Sequence, residues 1–106
     1  MNYPNTRVNV DIPLLGMVCD AAGELERDGY LLEMTTSDGD KVHFKPSDIG
    51  GLDGVVFVFS ERVMKKLEDS DTDVTSDNAK EVVSKYITVD EIKDYIKSTG
   101  NFVKEA

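Results

Sequence analysis

Apolar residues recur along this chain in several distinct patterns, each of which predicts an element. Val55, Val56, Phe57, Val58 and Phe59 form the only uninterrupted β-branched and aromatic block. That composition predicts a strand buried on both faces. Residues 7–12 alternate Val8, Val10 and Ile12 with Arg7, Asn9 and Asp11, the period of a strand with one face buried. Pro13 suits the first turn of a helix whose face carries Leu14, Leu15, Val18, Ala22 and Leu25, ending at Asp28-Gly29. Gly16 and Gly23 weaken that helix by about 1 kcal/mol each relative to Ala, so an extended alternative stays open.

From Tyr30 the pattern becomes a hairpin, and its register follows from the side chains. A two-residue Asp38-Gly39 turn would set Met34 against His43 and Glu33 against Phe44, mixing polar and apolar residues on both faces. A three-residue loop, Ser37-Asp38-Gly39, with Gly39 in the left-handed position of a bulge, instead pairs Thr36 with Asp40, Met34 with Val42 and Leu32 with Phe44. Tyr30, Leu32, Met34, Val42 and Phe44 then share a core face, and Glu33 faces His43 on the other.

Residues 46–54, with Pro46, Gly50, Gly51 and Gly54, predict a mobile loop into the strand at 55–59. Ser60 is the expected N-cap of a short helix carrying Val63, Met64 and Leu67. Residues 68–78 predict an acidic loop, and Asp77 can cap a helix containing Val82, Val83 and Tyr86. Thr88-Val89-Asp90-Glu91 is a capping box opening a helix with Val89, Ile92, Tyr95 and Ile96 inside. Gly100 stops it, and Phe102 and Val103 tuck back onto the core. The expected architecture is a single α+β domain over residues 1–106. It has a small, mostly antiparallel sheet of about four strands, an N-terminal helix and two or three C-terminal helices on it. Residues 1–6 form a flexible lead-in and 104–106 a frayed tail.

Composition narrows the class further. A chain of 106 residues that is 40% hydrophobic and 31% charged is long enough to bury one core without metal or disulfide. Cys19, the single cysteine, has no internal disulfide partner, and no basic n-region followed by an apolar run stands at the N-terminus. The longest apolar run is five residues, against the ~20 that span a bilayer. These features point to a reducing, cytoplasmic compartment and no membrane.

The formal charge is −9, and residues 1–59 hold ten acids against four bases, the more one-sided half. Phosphate backbones repel such a chain, so direct nucleic-acid binding is disfavoured and a basic protein surface is the expected partner. Asp20, Glu24 and Asp28 lie four residues apart on the N-terminal helix. With Asp38, Asp40, Asp48 and Asp53 in neighbouring loops they are the candidate partner-binding acids.

Other chemistry is thinner. Asp69, Asp71, Asp73, Thr75 and Asp77 hold the odd places of an EF-hand-like calcium loop. Val74, however, stands where the turn wants Gly, and Lys80 where a bidentate Glu is required. A solvated loop is the simpler expectation, and no metal or cofactor is assigned. His43 opposite Glu33 could in principle exchange protons, and Cys19 could act as a nucleophile beside an imidazole. No third orienting group accompanies either, and the glycines at 50, 51 and 54 lack the Lys-Ser/Thr of a phosphate loop, so no catalytic residue is assigned.

The leading expectation is therefore a non-catalytic acidic protein that docks on a basic partner. An inhibitor, an immunity protein or an occluder of a nucleic-acid-binding enzyme's site would fit. A homo-oligomeric assembly subunit is the alternative, the oligomeric state being open, and a calcium-responsive module is a weaker one.

Overall fold

The computed structural model describes residues 6–48, 51–70 and 73–104. Helix α1 (Thr6–Arg27) begins far earlier than Pro13 and carries the core through the chain's first quarter. Val10, Leu14, Val18, Ala21, Ala22 and Leu25 recur every three or four residues along it and are fully buried. The strand expected at residues 7–12 is therefore a correction: those residues are helical. Val10 points into the core while Val8 and Ile12 point to solvent, so the alternation reflects two faces of a helix. Pro13 lies inside α1 and withholds one i→i−4 donor, and the helix continues through it because its buried face is secured on both sides.

Strands β1 (Tyr30–Thr35) and β2 (Lys41–Phe44) follow, joined by the expected loop. The register agrees throughout: Leu32 with Phe44, Glu33 with His43, Met34 with Val42 and Thr35 with Lys41. Thr36 N–H donates to the Asp40 carbonyl at 2.8 Å, and Gly39 takes φ +88°, the left-handed backbone that the bulge requires. A third strand, β3 (Phe102–Lys104), pairs antiparallel on the other side of β1, giving the order β2-β1-β3. Phe102 and Val103 thus do return to the fold, as a strand, and Lys104, expected in the tail, belongs to it.

After a 3-10 turn at Pro46–Asp48 comes α2 (Leu52–Ser70), the largest departure from expectation. The apolar block at 55–59 is helical. Val55, Phe59, Val63 and Leu67 recur every fourth residue on its buried side, whereas Phe57 is exposed. Ser60 caps nothing: it lies in the helix interior, fully buried, and its hydroxyl has no hydrogen-bond partner. Glu68 and Asp69, expected in a loop, close the same helix. Of the other expected loops and tails, residues 1–5, 49–50, 71–72 and 105–106 lie outside the described residues.

Helices α3 (Ala79–Tyr86) and α4 (Val89–Ser98) complete the chain. Asn78, not Asp77, stands at the N-cap of α3, and its side chain makes no cap bond. It orders the preceding loop instead, with Oδ1 accepting from Thr75 N–H and Nδ2 donating to the Asp73 carbonyl. The capping box of α4 forms, Thr88 Oγ1 accepting from Glu91 N–H at 3.2 Å.

The class is α+β, with four helices and three antiparallel strands among the described residues. Its centre of gravity is helical. The core lies where α2, α3 and α4 pack around α1, and the ring of Tyr95 meets Phe59 edge-on at 5.4 Å. The sheet sits beside that core instead of beneath the helices.

The helical assignment of residues 55–60 is testable because it reverses two expected signs. Ser60→Ala removes a buried unpartnered hydroxyl from a helix interior, so urea denaturation should show stability unchanged or raised by up to about 1 kcal/mol. An N-cap serine would lose about 1 kcal/mol instead. Phe59→Ala should cost about 3–5 kcal/mol and Phe57→Ala under about 1, whereas a strand buried on both faces would lose heavily at both positions.

Candidate partner-binding surface

The hairpin presents two chemically different faces. On its polar face, Glu33 gathers the neighbouring polar side chains. Its carboxylate lies 3.1 Å from His43 Nε2 and 3.5 Å from Lys41 Nζ, and it accepts from Asn101 Nδ2 at 3.4 Å. Backbone bonding adds to this, since Glu33 N–H donates to the Asn101 carbonyl at 2.8 Å. The expected Glu33–His43 pair is present as a cross-strand contact that ties β2 to β1. Cys19, which would need an imidazole beside it to be activated, is exposed on the outside of α1.

The opposite face carries Tyr30, Leu32, Met34, Val42 and Phe44, as the register requires, and Phe102 joins it from β3 opposite Leu32. Only one end of this face is covered. Tyr30 lies under the ammonium groups of Lys97 and Lys104, at 5.2 and 5.7 Å from its ring centroid. Leu32 and Phe102 line a groove of about 420 Å³ with Leu52, Val55, Val58 and Tyr95. Beyond them Met34, Val42 and Phe44 are 51%, 37% and 42% exposed. The expectation that all five hairpin residues face a core is corrected at these three. With residues 55–59 in a helix, the described residues supply no further strand to the sheet, and none of them closes over the hairpin's outer half.

The seven candidate acids separate into two groups. Glu24 and Asp28 are engaged within the fold, each carboxylate 3.4 Å from Lys93 Nζ on α4. The like charges that would strain α1 at this spacing are thereby neutralised, and the trio fastens α1 to α4. The other five, Asp20, Asp38, Asp40, Asp48 and Asp53, have no ion-pair partner among the described residues. Asp38 and Asp40 stand at the hairpin tip, Asp48 in the 3-10 turn just after β2, and Asp53 in the first turn of α2, whose Leu52 lines the groove. Asp20 is on the exposed side of α1. Glu26, not among the seven, accepts from Ser47 Oγ and lies 3.7 Å from Lys45 Nζ, holding the turn after β2 against α1.

The described calcium-loop residues fall in two different elements. Asp69 is in the last turn of α2, Asp73, Thr75 and Asp77 lie in the loop ordered by Asn78, and Asp71 is outside the described residues. Among the described residues no three His, Cys, Asp or Glu side chains converge as a metal site would need, and no helix is long and apolar enough to cross a membrane.

The geometry thus describes a small α+β domain with a part-covered hairpin. Comparison with known proteins adds no identity: no family model matches the sequence, and no curated protein or solved structure is significantly similar to it.

Lys93 is the electrostatic element that spacing along the sequence does not reveal. Burial around its ammonium pulls the pKa down. The hydrogen bonds and charges of Glu24 and Asp28 outweigh that, and the net shift is upward from 10.5. A lysine that holds its proton more tightly when folded contributes stability that is full below the unfolded lysine pKa, about 10.4, and is lost as pH rises through the higher folded value. The melting temperature of the wild type should therefore fall more steeply than that of Lys93→Met between about pH 10 and 12. Parallel curves would show that the contact carries no proton linkage.

Proposed function

We propose that this protein is a non-catalytic binding module that docks through its hairpin onto a partner with an apolar pocket rimmed by basic groups. The observation that carries this reading is the exposure of Met34, Val42 and Phe44 side by side on one face of an ordered hairpin whose tip bears Asp38 and Asp40. Large apolar side chains held in one register by a ladder on both sides of β1 are preorganised. An interface formed there loses little further conformational entropy. Anchors of this kind carry most of the energy of an interface, and charges at its rim set approach rate and partner choice.

The acids supply the rim. Asp38, Asp40, Asp48 and Asp53 have no ion-pair partner among the described residues, in contrast to Glu24 and Asp28, so their charge is free to meet a partner's lysines and arginines. A net charge of −9 adds a long-range attraction for basic surfaces and a repulsion from phosphate backbones. Basic surfaces of this kind include the nucleic-acid grooves of enzymes, and occluding such a groove is the form of inhibition that this combination of anchor and charge suits best.

The reading is tested by low-salt capture from the native cell, with wild-type and variant baits run in parallel and the retained protein then purified. Met34→Ser with Phe44→Ser should weaken that complex at least tenfold without changing the circular dichroism spectrum, because both side chains are already solvated. Asp38→Asn with Asp40→Asn should weaken it less and flatten its salt dependence. A partner that binds the double serine variant as well as the wild type overturns the assignment.

A further inference from the structure

A second apolar stripe lies on α1, away from both core and hairpin. Val8, Ile12 and Leu15 are 55%, 67% and 50% exposed, and exposed Cys19 follows at the same 4-3-4 spacing, the repeat of a helix that packs along another helix. The stripe is graded in size. Its first half is bulky and its second half, Gly16, Cys19 and Gly23, is small, with open space where a Cβ at Gly16 would stand. At the small end of the stripe Arg27 Nη1 lies 3.7 Å from where a Cβ at Gly23 would stand.

From this grading we infer that the stripe is the seam of a symmetric dimer of this chain, with the two α1 helices antiparallel about a two-fold axis between Leu15 and Gly16. That axis sets Val8 against Gly23, Ile12 against Cys19 and Leu15 against Gly16 of the second copy, so every bulky residue meets a small one. A parallel pair would crowd Val8, Ile12 and Leu15 against their own copies and leave the small half unpacked.

Charge supports the same arrangement. In an antiparallel pair, like flanks of the two helices meet. One flank carries Asn9, Pro13, Asp20 and, in the last turn, Arg27, and beside it Lys80 of α3 lines a hollow with Asn9, Ile12 and Pro13. At the height of that hollow the second copy presents Asp20. Neither Asp20 nor Lys80 has an ion-pair partner among the described residues, and the symmetry supplies two such contacts. On the other flank Asp11 is held by Arg7 at 3.6 Å, and Arg7 is held in turn by Glu61 at 2.8 Å, so no unpaired acid faces the seam there. An acidic chain can thus meet itself along this stripe without like charges opposed.

The seam is about 22 Å long at 1.5 Å per residue, which gives an interface well below the ~1,600 Å² of a standard one. The association is accordingly a weak, concentration-dependent equilibrium, independent of the hairpin and its partner. Sedimentation equilibrium of the pure protein under reducing conditions, between roughly 1 μM and 1 mM, tests it. The wild type should pass from monomer to dimer within that range. Leu15→Glu should weaken the dimer at least tenfold while the circular dichroism spectrum stays the same. Gly16→Leu should do likewise yet leave the monomer's melting temperature equal or higher, since leucine is the better helix former and the space is open. Asp20→Lys should weaken the dimer, and adding Lys80→Asp should restore it.

Under mild oxidation Ile12→Cys should give covalent dimers through Cys19 of the second copy. The two positions lie about 10 Å apart on one helix, too far for an internal bridge. A protein monomeric throughout the range, a dimer indifferent to Leu15→Glu and Gly16→Leu, or wild-type cross-linking through Cys19 alone would overturn the assignment. None of these measurements involves the hairpin, so the two surfaces stand or fall separately.

Discussion

The burial of one face of α1 is the constraint on which the other elements depend. Val10, Leu14, Val18, Ala21, Ala22 and Leu25 form a continuous apolar ridge, and α2, α3 and α4 each present apolar residues to it. Four of those six are large aliphatic side chains, worth about 1.5–3 kcal/mol each when fully buried. Their sum is comparable to the whole net stability of a domain, about 5–15 kcal/mol. Helix propensity could not hold α1 together alone, with Pro13 inside it and glycines at 16 and 23. Tertiary burial overrides local preference, and the helix passes through residues that would interrupt it in isolation.

The same burial determines what the charged groups do. Because α4 packs across α1, Lys93 comes within reach of Glu24 and Asp28, and two acids that would repel each other in an isolated helix become the fastening between two helices. Acids that no packed element overlies keep their charge for solvent or for a partner. The distinction between structural and available carboxylates is thus a consequence of helix packing, and it divides an acidic set that looks uniform in sequence.

Legibility in the sequence followed the range of the interactions. The hairpin register was readable in full, because a three-residue loop, a left-handed glycine and cross-strand chemistry all act within fifteen residues. The Thr88 capping box and the helical face of Leu14, Val18, Ala22 and Leu25 were readable for the same reason, but Leu15, expected on that face, is half exposed on the other side of the helix. The strand at 55–59 was misread because five consecutive apolar residues fit a buried strand or a helix equally well. Only continuation of the four-residue spacing through Val63 and Leu67 separates the two, and placing a helix start at Ser60 cut that series in half. Residues 7–12 failed in the converse way: alternation arose because Val10 faces the core and Val8 and Ile12 the outside of one helix. The hairpin acids were legible as available charge. Lys93 was not, because it stands 69 residues from Glu24 and only packing brings them together.

The N-terminal half of α1 carries apolar residues on two sides. Scattered exposed apolar residues are ordinary on a soluble domain and require no explanation. Of the seven large ones exposed among the described residues, three form a stripe on α1, three share one face of the hairpin, and Phe57 stands outside both, with the guanidinium of Arg7 5.2 Å from its ring centroid. Such clustering is not a by-product of filling the core, because the buried face of α1 points elsewhere and β2 adds nothing to the core. Each cluster keeps its apolar residues in a fixed register on a regular element, at the period of the surface it would meet: four and three residues for a helix seam, two for a sheet face. An alternation that looked like a buried strand is therefore the mark of a helix with apolar residues on two sides, one used by the fold and the other exposed.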